Sequence, residues 1–294
     1  MSDWLAGFIA REALPPAFGE VAARVCAPLA EAIVGKRVAG RPYVVGLCGA
    51  QGSGKSTLTA IVRRMLEERG LNVAALSLDD LYLTRLERLG MARDVHPLFG
   101  VRGPPGTHDA ALGLATLDAL ARRGRVAIPA FDKGADDRRA PEDWPIFEGP
   151  ADVVLFEGWC VGARAQADEA LVEPLNALER DDDPDGVWRR HANAALAGPY
   201  QQLFARIDLL ILLAAPGFDA VLAWRREQEA KLRARLAREG GGGRAMDDAQ
   251  VSRFIAHYER LTRWILVEMP ARADIVLAMD ADRRVGAMQF SLAP

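Results

Sequence analysis

The sequence is poor in cysteine and has no long apolar run. Its 294 residues include only three cysteines, Cys26, Cys48 and Cys160. An odd number of widely spaced cysteines indicates neither a disulfide framework nor a zinc site, and it is typical of a reducing compartment. No stretch reaches the roughly 18 apolar residues that a membrane-spanning helix needs, and charged residues interrupt the apolar N-terminus, unlike a secretory signal. We therefore expect a soluble, cytoplasmic protein without a membrane partner.

A surplus of positive charge is also missing. The formal net charge is −3, from 37 basic and 40 acidic residues, whereas proteins that bind nucleic-acid backbones usually carry a basic surplus. Apolar residues make up 50% of the chain and charged residues 26%, which is the mixture of an ordinary globular protein. We expect a small molecule as the partner and no nucleic acid; the composition leaves the oligomeric state open.

Short apolar runs alternate with helical patterns along the chain. Because such alternation is typical of βαβ units, it predicts an α/β fold with a mainly parallel sheet and helices on both faces. The predicted strands cover 43–48, 73–78, 126–128, 153–156, 208–213 and 275–279. The predicted helices lie at 4–35, with a break at Pro15-Pro16, and at 55–70, 110–123, 165–180, 187–205, 217–238 and 247–267. Residues 132–150 are predicted to be a loop.

The most specific motif follows the first predicted strand. It has the sequence Gly49-Ala-Gln-Gly-Ser-Gly54-Lys55-Ser56, which is the phosphate-binding loop (P-loop) pattern between a strand and a helix. The glycines let the backbone N–H groups point at a phosphate, and the helix N-terminus adds its positive dipole end. Lys55 can reach the β- and γ-phosphates. The motif predicts a P-loop NTPase fold that binds ATP through Gly49, Ala50, Gln51, Gly52, Ser53, Gly54, Lys55, Ser56 and Thr57.

Acidic residues end two of the predicted strands. Asp79 and Asp80 follow the second strand, and Glu157 follows the apolar run 153–156 in the manner of a Walker B acid. Parallel strands end at one edge of a sheet, so we expect these acids beside the phosphate loop. One aspartate could accept the proton of an attacking hydroxyl while the other is structural or close to a metal, although either could simply cap a turn. Ser56 and Glu157 are the predicted Mg²⁺ ligands.

No linker clearly separates domains. We expect residues 1–42 to form a helical N-terminal preamble and 43–294 a single P-loop domain. Glycines at 240–243 separate two predicted helices and suggest a mobile break in a helical lid. One or two lid cations could neutralise phosphate charge, Arg225 being our candidate, whereas a solvated helix face explains most of them. These cations are Arg225, Arg226, Lys231, Arg233, Arg235 and Arg238.

Taken in order, the motifs resemble the D-glycerate 3-kinase family of plants and fungi, within the superfamily of phosphoribulokinase, uridine kinase and pantothenate kinase. The resemblance rests on the loop from Gly46 to Lys55, Ser77-Leu-Asp-Asp-Leu-Tyr82, Arg102-Gly-x-Pro-Gly-Thr-His-Asp109, Phe131-Asp-Lys133 with Arg138 and Trp144, Phe156-Glu-Gly-Trp159, Asn193 with Tyr200, and Trp224-Arg225. The loop after Trp159, the segment 164–190 and the glycine run depart from the family pattern.

The resemblance implies an ATP- and Mg²⁺-dependent kinase that phosphorylates a hydroxyl of a small hydroxy acid, with D-glycerate as the first candidate. It implies Asp79 as the base, beside Lys55. A carboxylate on the acceptor needs a positive partner, which Lys133, Arg102 or Arg138 could supply, and His108 could orient a hydroxyl or only brace its loop. The implied acceptor residues are Asp80, Tyr82, Arg102, Thr107, His108, Asp132 and Lys133.

Two alternatives stay open at this level. One is a kinase for pantothenate or a nucleoside, although no apolar pocket or nucleobase site is evident in the sequence. The other is a P-loop switch or assembly ATPase. A GTPase would carry an Asn-Lys-x-Asp motif, which is missing, and the two acids after the second strand suit transfer to a bound hydroxyl better than activation of water.

Overall fold

The computed structural model describes residues 3–15, 17–38, 40–239 and 245–290. Its described residues form a main six-stranded sheet in the order β10-β9-β8-β1-β7-β2 and two small two-stranded sheets, β3-β6 and β4-β5. The strands are β1 Tyr43–Gly49, β2 Val73–Ser77, β3 Gly124–Ala127, β4 Phe131–Asp132, β5 Asp137–Arg138, β6 Ile146–Gly149, β7 Val153–Gly158, β8 Leu209–Ala214, β9 Ile275–Met279 and β10 Val285–Phe290.

Helices connect and cover these strands. They are α1 Asp3–Arg11, α2 Phe18–Val21, α3 Ala27–Lys36, α4 Lys55–Glu67, α5 Arg85–Asp94, α6 Ala110–Leu120, α7 Ala177–Asp182, α8 Val187–Ala197, α9 Pro199–Phe204, α10 Phe218–Glu239 and α11 Asp248–Glu268. A π-helical turn, Ala22–Cys26, joins α2 to α3. Short 3-10 turns follow several strands, and the one at Leu78–Leu81 carries the two aspartates.

The main sheet is buried on both faces. Every residue of β1 is buried although successive side chains of a strand point to opposite faces, so both faces must be covered. Pairs β1–β7, β1–β8, β2–β7 and β8–β9 are parallel. The predicted P-loop α/β fold with a mainly parallel sheet is therefore confirmed.

The helical preamble packs on the same core as the sheet. Leu5 and Ile9 of α1 and Leu29 and Ile33 of α3 belong to the main cluster of buried apolar residues. Burial of these four side chains in this core accounts for the periodic apolar pattern that predicted helices there.

Two predicted helices are interrupted, both at prolines. The segment 165–180 contains only a 3-10 turn, Asp168–Leu171, before the short helix α7. Pro174 breaks the pattern, and α7 starts only after Asn176, whose side chain accepts from the Glu179 N–H. The predicted helix 187–205 is divided into α8 and α9 because Pro199 occupies the first position of a new helix.

Two strand predictions and one loop prediction need correction. The strand predicted at 126–128 runs from Gly124 to Ala127, and it pairs antiparallel with β6 outside the main sheet. Residues 132–150 therefore are not simply a loop. Strand β9 does not end the sheet either, because β10 pairs antiparallel with it through a bulge. Strand β3 pairs with residues about 20 positions away, as Val126 with Phe147, so its partner leaves little local signal in the sequence.

The two helices of the predicted lid are present as α10 and α11. The expected break at 240–243 lies outside the described residues. No helix within the described ranges is long and apolar enough to cross a membrane. All three cysteines are buried free thiols.

Candidate active site

The phosphate loop joins the end of β1 to the start of α4. Gly52 and Gly54 both have the left-handed backbone conformation that favours glycine, with φ of 80° and 85°. At Gly52 a side chain would also collide with the lid helix, since an added Cβ would lie 2.8 Å from the Cβ of Trp224. Lys55 is the first residue of α4. The loop thus has the shape that its glycines predicted, and it is packed against α10.

Glu157 faces the phosphate loop from the neighbouring strand. Its Oε1 accepts from the Ser56 hydroxyl at 3.2 Å and from the Ser77 hydroxyl at 3.0 Å. Glu157 pairs in register with Leu47 on β1 and with Ser77 on β2. The ends of the three strands therefore bring the side chains of Glu157, Leu47 and Ser77 next to one another. Its Oε2 is buried and has no hydrogen-bond partner among the described residues.

A divalent cation fits this group of oxygens. The buried, unpartnered Oε2 of Glu157 and the Ser56 hydroxyl are hard oxygen ligands of the kind that Mg²⁺ takes, directly or through water. An unpaired buried carboxylate oxygen is otherwise costly. The predicted pair Ser56 and Glu157 is therefore together in space and chemically suited to the metal.

Asp79 lies at the end of β2 with a cation and a phenol on its two oxygens. Lys133 Nζ is 2.7 Å from Oδ2, and the Tyr82 hydroxyl donates to Oδ1 at 3.0 Å. Burial alone would raise the pKa of Asp79, but Lys133 and the more distant Lys55 lower it to about 2. The carboxylate is therefore ionised at neutral pH.

Asp80 has a different environment and a different task. Its Oδ1 accepts from the Phe131 backbone N–H at 3.0 Å and so ties β4 to the end of β2. Burial, reinforced by the charge of Asp79, raises the pKa of Asp80 to about 6. The two acids thus have different contacts: Asp79 binds Lys133 and Tyr82, and Asp80 binds the backbone. Which of them acts as the base stays a prediction.

Tyr82 and His108 form a stacked pair beside Asp79. Their ring centroids are 4.4 Å apart, and the two residues form an isolated antiparallel backbone bridge. His108 Nδ1 lies 2.6 Å from the Tyr200 hydroxyl, while its Nε2 is buried without a partner among the described residues. Burial lowers the pKa of His108 to about 3 against the opposing charge of Asp79, so the ring is neutral.

The other cations expected near the acceptor are largely engaged. Arg138 donates through Nε and Nη2 to the Tyr82 carbonyl at 3.0 and 2.8 Å, which makes it a support for the loop. Arg102 binds Asp136 through Nη1 and lies 5.6 Å from the centroid of Phe131, leaving part of its guanidinium unassigned.

Two further predicted acceptor residues have side chains that serve their own loops. Thr107 Oγ1 donates to the Pro104 carbonyl at 2.7 Å and accepts from the Gly103 N–H at 3.0 Å. Asp132 Oδ1 accepts from the N–H groups of Gly134 and Ala135, and those bonds lower its pKa. The structure therefore gives both side chains a structural task.

The lid cations are mostly paired on the helix surface. Arg225 Nη2 lies 2.8 Å from Glu229 Oε2, and its guanidinium carbon is 5.4 Å from the centroid of Phe254. Lys231 pairs with Glu227 and Arg233 with Asp248. This favours the solvated-face interpretation for Lys231 and Arg233, and Arg225 is the least exposed of the three.

Sequence reasoning missed one residue that holds the phosphate loop. Arg283, in the turn before β10, donates through Nε to the Gly52 carbonyl at 2.9 Å and through Nη2 to Glu227 at 2.6 Å. Its guanidinium carbon also lies 5.5 Å from the centroid of Trp224. No local pattern could have indicated this role, because Arg283 is 231 positions from Gly52.

Two curated relatives are kinases. The chain is 34% identical over 230 residues to mug58, an uncharacterised kinase of Schizosaccharomyces pombe, covering 74% of this chain and 79% of the relative. It is 30% identical over 258 residues to the chloroplastic D-glycerate 3-kinase of Arabidopsis thaliana. That match covers 82% of this chain but only 53% of the plant protein.

A solved structure and a family model extend the comparison. The D-glycerate 3-kinase of Cryptococcus neoformans is similar with a TM-score of 0.73 and 26% identity, over 90% of this chain and 98% of that one. The family model of the methylmalonyl Co-A mutase-associated GTPase MeaB matches residues 22–82. This segment is less than half of the chain and contains the phosphate loop, which P-loop proteins of many activities share.

Geometry and relatives point to the same activity. The phosphate loop, the acid at the end of β7 and the ionised Asp79 at the end of β2 are the parts that a phosphoryl-transfer enzyme requires. The kinase relative covers most of the chain, and is itself covered for 79% of its length. The chain therefore belongs to the D-glycerate 3-kinase-like family of P-loop kinases, and it is an ATP-dependent kinase.

Proposed function

We propose that this kinase transfers the γ-phosphate of ATP, with Mg²⁺, to a hydroxyl of a small hydroxy acid, and that D-glycerate is its acceptor. The observation that carries the proposal is the contact between Asp79 and Lys133, 2.7 Å apart, beside the phosphate loop. It supplies a base for a hydroxyl and a cation for a carboxylate within one small space. The names of the plant and fungal relatives support the choice of D-glycerate.

The nucleotide phosphates would bind to the loop 49–57 and to the N-terminus of α4. Backbone N–H groups and Lys55 meet the negative charge there. Ser56 and Glu157 would hold Mg²⁺, which neutralises charge on the phosphate oxygens when it is bound. Arg225 stays a candidate for a further phosphate contact. To make it, Arg225 would exchange its ion pair with Glu229 for one with a phosphate of ATP.

Asp79 would act on the acceptor hydroxyl. The hydroxyl oxygen forms a bond to the γ-phosphorus while the bond from that phosphorus to the bridging β–γ oxygen breaks, and the hydroxyl proton passes to the carboxylate. Tyr82 and Lys133 hold Asp79 in place before the transfer, and Lys133 keeps it ionised. A low pKa makes Asp79 a weak base, which suits a transition state in which the proton leaves late.

Lys133 and Arg102 would recognise the carboxylate of the acceptor. The Lys133 ammonium has three N–H groups and uses one for Asp79, and it is 62% exposed, so it can bind a second anion. Arg102 retains donors that its bond to Asp136 does not use. A recognised carboxylate discriminates strongly against a neutral analogue, because the protein charge would be left without its partner.

A reducing, cytoplasmic setting is part of the proposal. It is supported by the three thiols, which are all free and buried.

The test is ADP release in the presence of candidate acceptors. Purified chain with ATP and Mg²⁺ should release ADP much faster with millimolar D-glycerate than with its uncharged amide, uridine or pantothenate. Product analysis should show one phosphate ester per ADP. Equal stimulation by the amide would show that the enzyme does not recognise the carboxylate of the acceptor. No stimulation by D-glycerate, with strong stimulation by uridine or pantothenate, would overturn the acceptor assignment and leave the kinase activity intact.

A further inference from the structure

The two ring nitrogens of His108 are in different states, and the surrounding hydrogen bonds fix which one carries the proton. Nδ1 lies 2.6 Å from the hydroxyl oxygen of Tyr200. The same oxygen accepts from the backbone N–H of Gly106 at 3.0 Å. A backbone N–H can only donate, so the Tyr200 oxygen is an acceptor toward Gly106.

The Tyr200 proton needs an acceptor of its own. Tyr200 is 1% exposed, and among the described residues its hydroxyl contacts only Gly106 and His108 within hydrogen-bond distance. Burial also raises the pKa of Tyr200 well above its usual value, so the phenol keeps its proton. The proton is therefore donated to His108 Nδ1, which must be the unprotonated nitrogen of a neutral imidazole.

It follows that His108 Nε2 carries an N–H. This donor is buried, with the whole residue only 5% exposed, and it has no partner among the described residues. Unpartnered buried donors are costly and uncommon in folded proteins, so a ligand or an ordered water must complete this one.

The His108 ring lies beside the groups that we propose to act on the acceptor. The His108 ring stacks on Tyr82 at 4.4 Å, and the Tyr82 hydroxyl is bound to Asp79. The backbone around it is fixed, since Leu83 N–H donates to the Thr107 carbonyl at 2.9 Å and Asp109 N–H to the Leu81 carbonyl at 2.7 Å. The ring is thus held in one orientation before any ligand binds.

We propose that Gly106, Tyr200 and His108 form a chain of hydrogen bonds, here called the relay, in which no proton is transferred. The relay fixes the Nε2–H of His108 so that it donates to an oxygen of the phosphoryl acceptor. His108 is then a specificity-determining residue, and Tyr200 is a positioning residue that acts through it. The inference rests on the proposed function, and the ligand class is a small molecule with a hydroxyl or carboxylate oxygen at that point. Because the His108 N–H is a neutral donor, it favours ligands that have an oxygen at this point, and that oxygen need not carry a full charge.

The relay is tested first without any substrate. Nitrogen-15 spectra of labelled histidine in the intact chain should show His108 with Nε2 protonated and Nδ1 bare, the signals being assigned by their loss in His108→Gln. Tyr200→Phe should change this pattern toward a mixture of tautomers. Tyr43→Phe, which removes the hydroxyl of another buried tyrosine at the start of β1, should leave it unchanged. A protonated Nδ1 in the unsubstituted chain would overturn the relay.

Kinetics then test the donor. His108→Leu should lower kcat/KM for the acceptor by about 10- to 100-fold, the usual worth of a hydrogen bond to a charged oxygen. His108→Gln, whose amide nitrogen can reach the Nε2 position, should recover part of the loss, and Tyr200→Phe should raise the acceptor KM more than it lowers kcat. Equal activity of the Gln and Leu variants would overturn the donor role.

The two proposals fail in different ways. If D-glycerate does not stimulate ADP release by the unsubstituted chain, the acceptor assignment fails, and the histidine spectra still decide the relay. If D-glycerate is turned over but His108→Leu keeps its normal kcat/KM, the acceptor assignment stands and the His108 inference is wrong. If a water completes Nε2 instead of the acceptor, D-glycerate with an unreactive ATP analogue will not shift the His108 Nε2–H signal, and that result also overturns it.

Discussion

Lys133 Nζ lies 2.7 Å from Asp79 Oδ2, although the two residues are 54 positions apart in the sequence. Lys133 therefore has an effect beyond the proposed binding of the acceptor. It also keeps the carboxylate of Asp79 ionised against the effect of burial. One ammonium group thus links the proposed recognition of the acceptor to the protonation state of the proposed base.

Removal of this ammonium should make the activity sensitive to acid. In Lys133→Met, burial is no longer offset by the nearest cation, so the pKa of Asp79 rises from about 2. Activity depends on ionised Asp79 and is lost as pH falls through that pKa. The acidic limb of kcat/KM should therefore move to higher pH, with a higher acceptor KM and a nearly unchanged KM for ATP. A pH profile that matches the unsubstituted enzyme would show that Lys133 does not control Asp79.

Lys55→Ala should abolish phosphoryl transfer and leave the fold intact. Lys55 is placed at the first position of α4 to meet phosphate charge, and it is not among the buried core residues. A loss of at least about 10²-fold in kcat is expected from removal of such an electrostatic contact. Arg64→Ala is the matched control, since Arg64 lies on the same helix and is 53% exposed beside Glu68. Near-normal turnover by folded Lys55→Ala would contradict the phosphate-loop assignment.

The two neighbouring aspartates should differ sharply when each is changed to asparagine. Asp79→Asn removes the base and should lower kcat by roughly 10²–10⁴-fold, with ATP binding largely kept. Asp80→Asn should have a smaller effect, because an amide oxygen can still accept the Phe131 N–H. Steady-state kinetics and ATP titration measure both. The reverse ranking would transfer the base to Asp80, and two mild effects would remove general-base catalysis from the pair.

The phosphate loop and the strand-end acids could be predicted because their signals are local. The loop pattern occupies eight consecutive residues, and parallel strands necessarily end at one edge, which brings Ser56 within 3.2 Å of Glu157. The contacts of Lys133 with Asp79, Tyr200 with His108 and Arg283 with Gly52 could not be predicted. Each joins loops or helices whose relative position depends on the packing of the whole chain.

The predicted helices also differ from the observed ones for identifiable reasons. Apolar residues at 165–180 and 187–205 repeat at helical spacing, yet Pro174 and Pro199 remove backbone donors and divide the segments. Helix α5 shows the opposite case, since no helix was predicted at 85–94 although its boundary signal is local. Thr84 and Glu87 form a capping box that starts α5.

Arg283 should be needed for ATP binding although it lies far from the phosphate loop in sequence. Its guanidinium binds the Gly52 carbonyl, pairs with Glu227 and covers Trp224, so it joins the loop to the lid helix α10. Arg283→Ala should free Gly52 from its anchor and raise the KM for ATP by about 10-fold, roughly the value of one charged hydrogen bond. The KM for the acceptor should change little.

The neighbouring arginine provides the control for this prediction. Arg284 is 79% exposed and contacts only Asp282 as an ion-pair partner among the described residues, so Arg284→Ala removes the same charge without touching the loop. Arg283→Lys keeps the charge but cannot bind Gly52 and Glu227 with one planar group, and it should fall between the two. If calorimetry shows that Arg283→Ala and Arg284→Ala bind ATP with equal affinity, the contact of Arg283 with Gly52 does not contribute to ATP binding. The proposed link between the lid and the phosphate loop is then wrong.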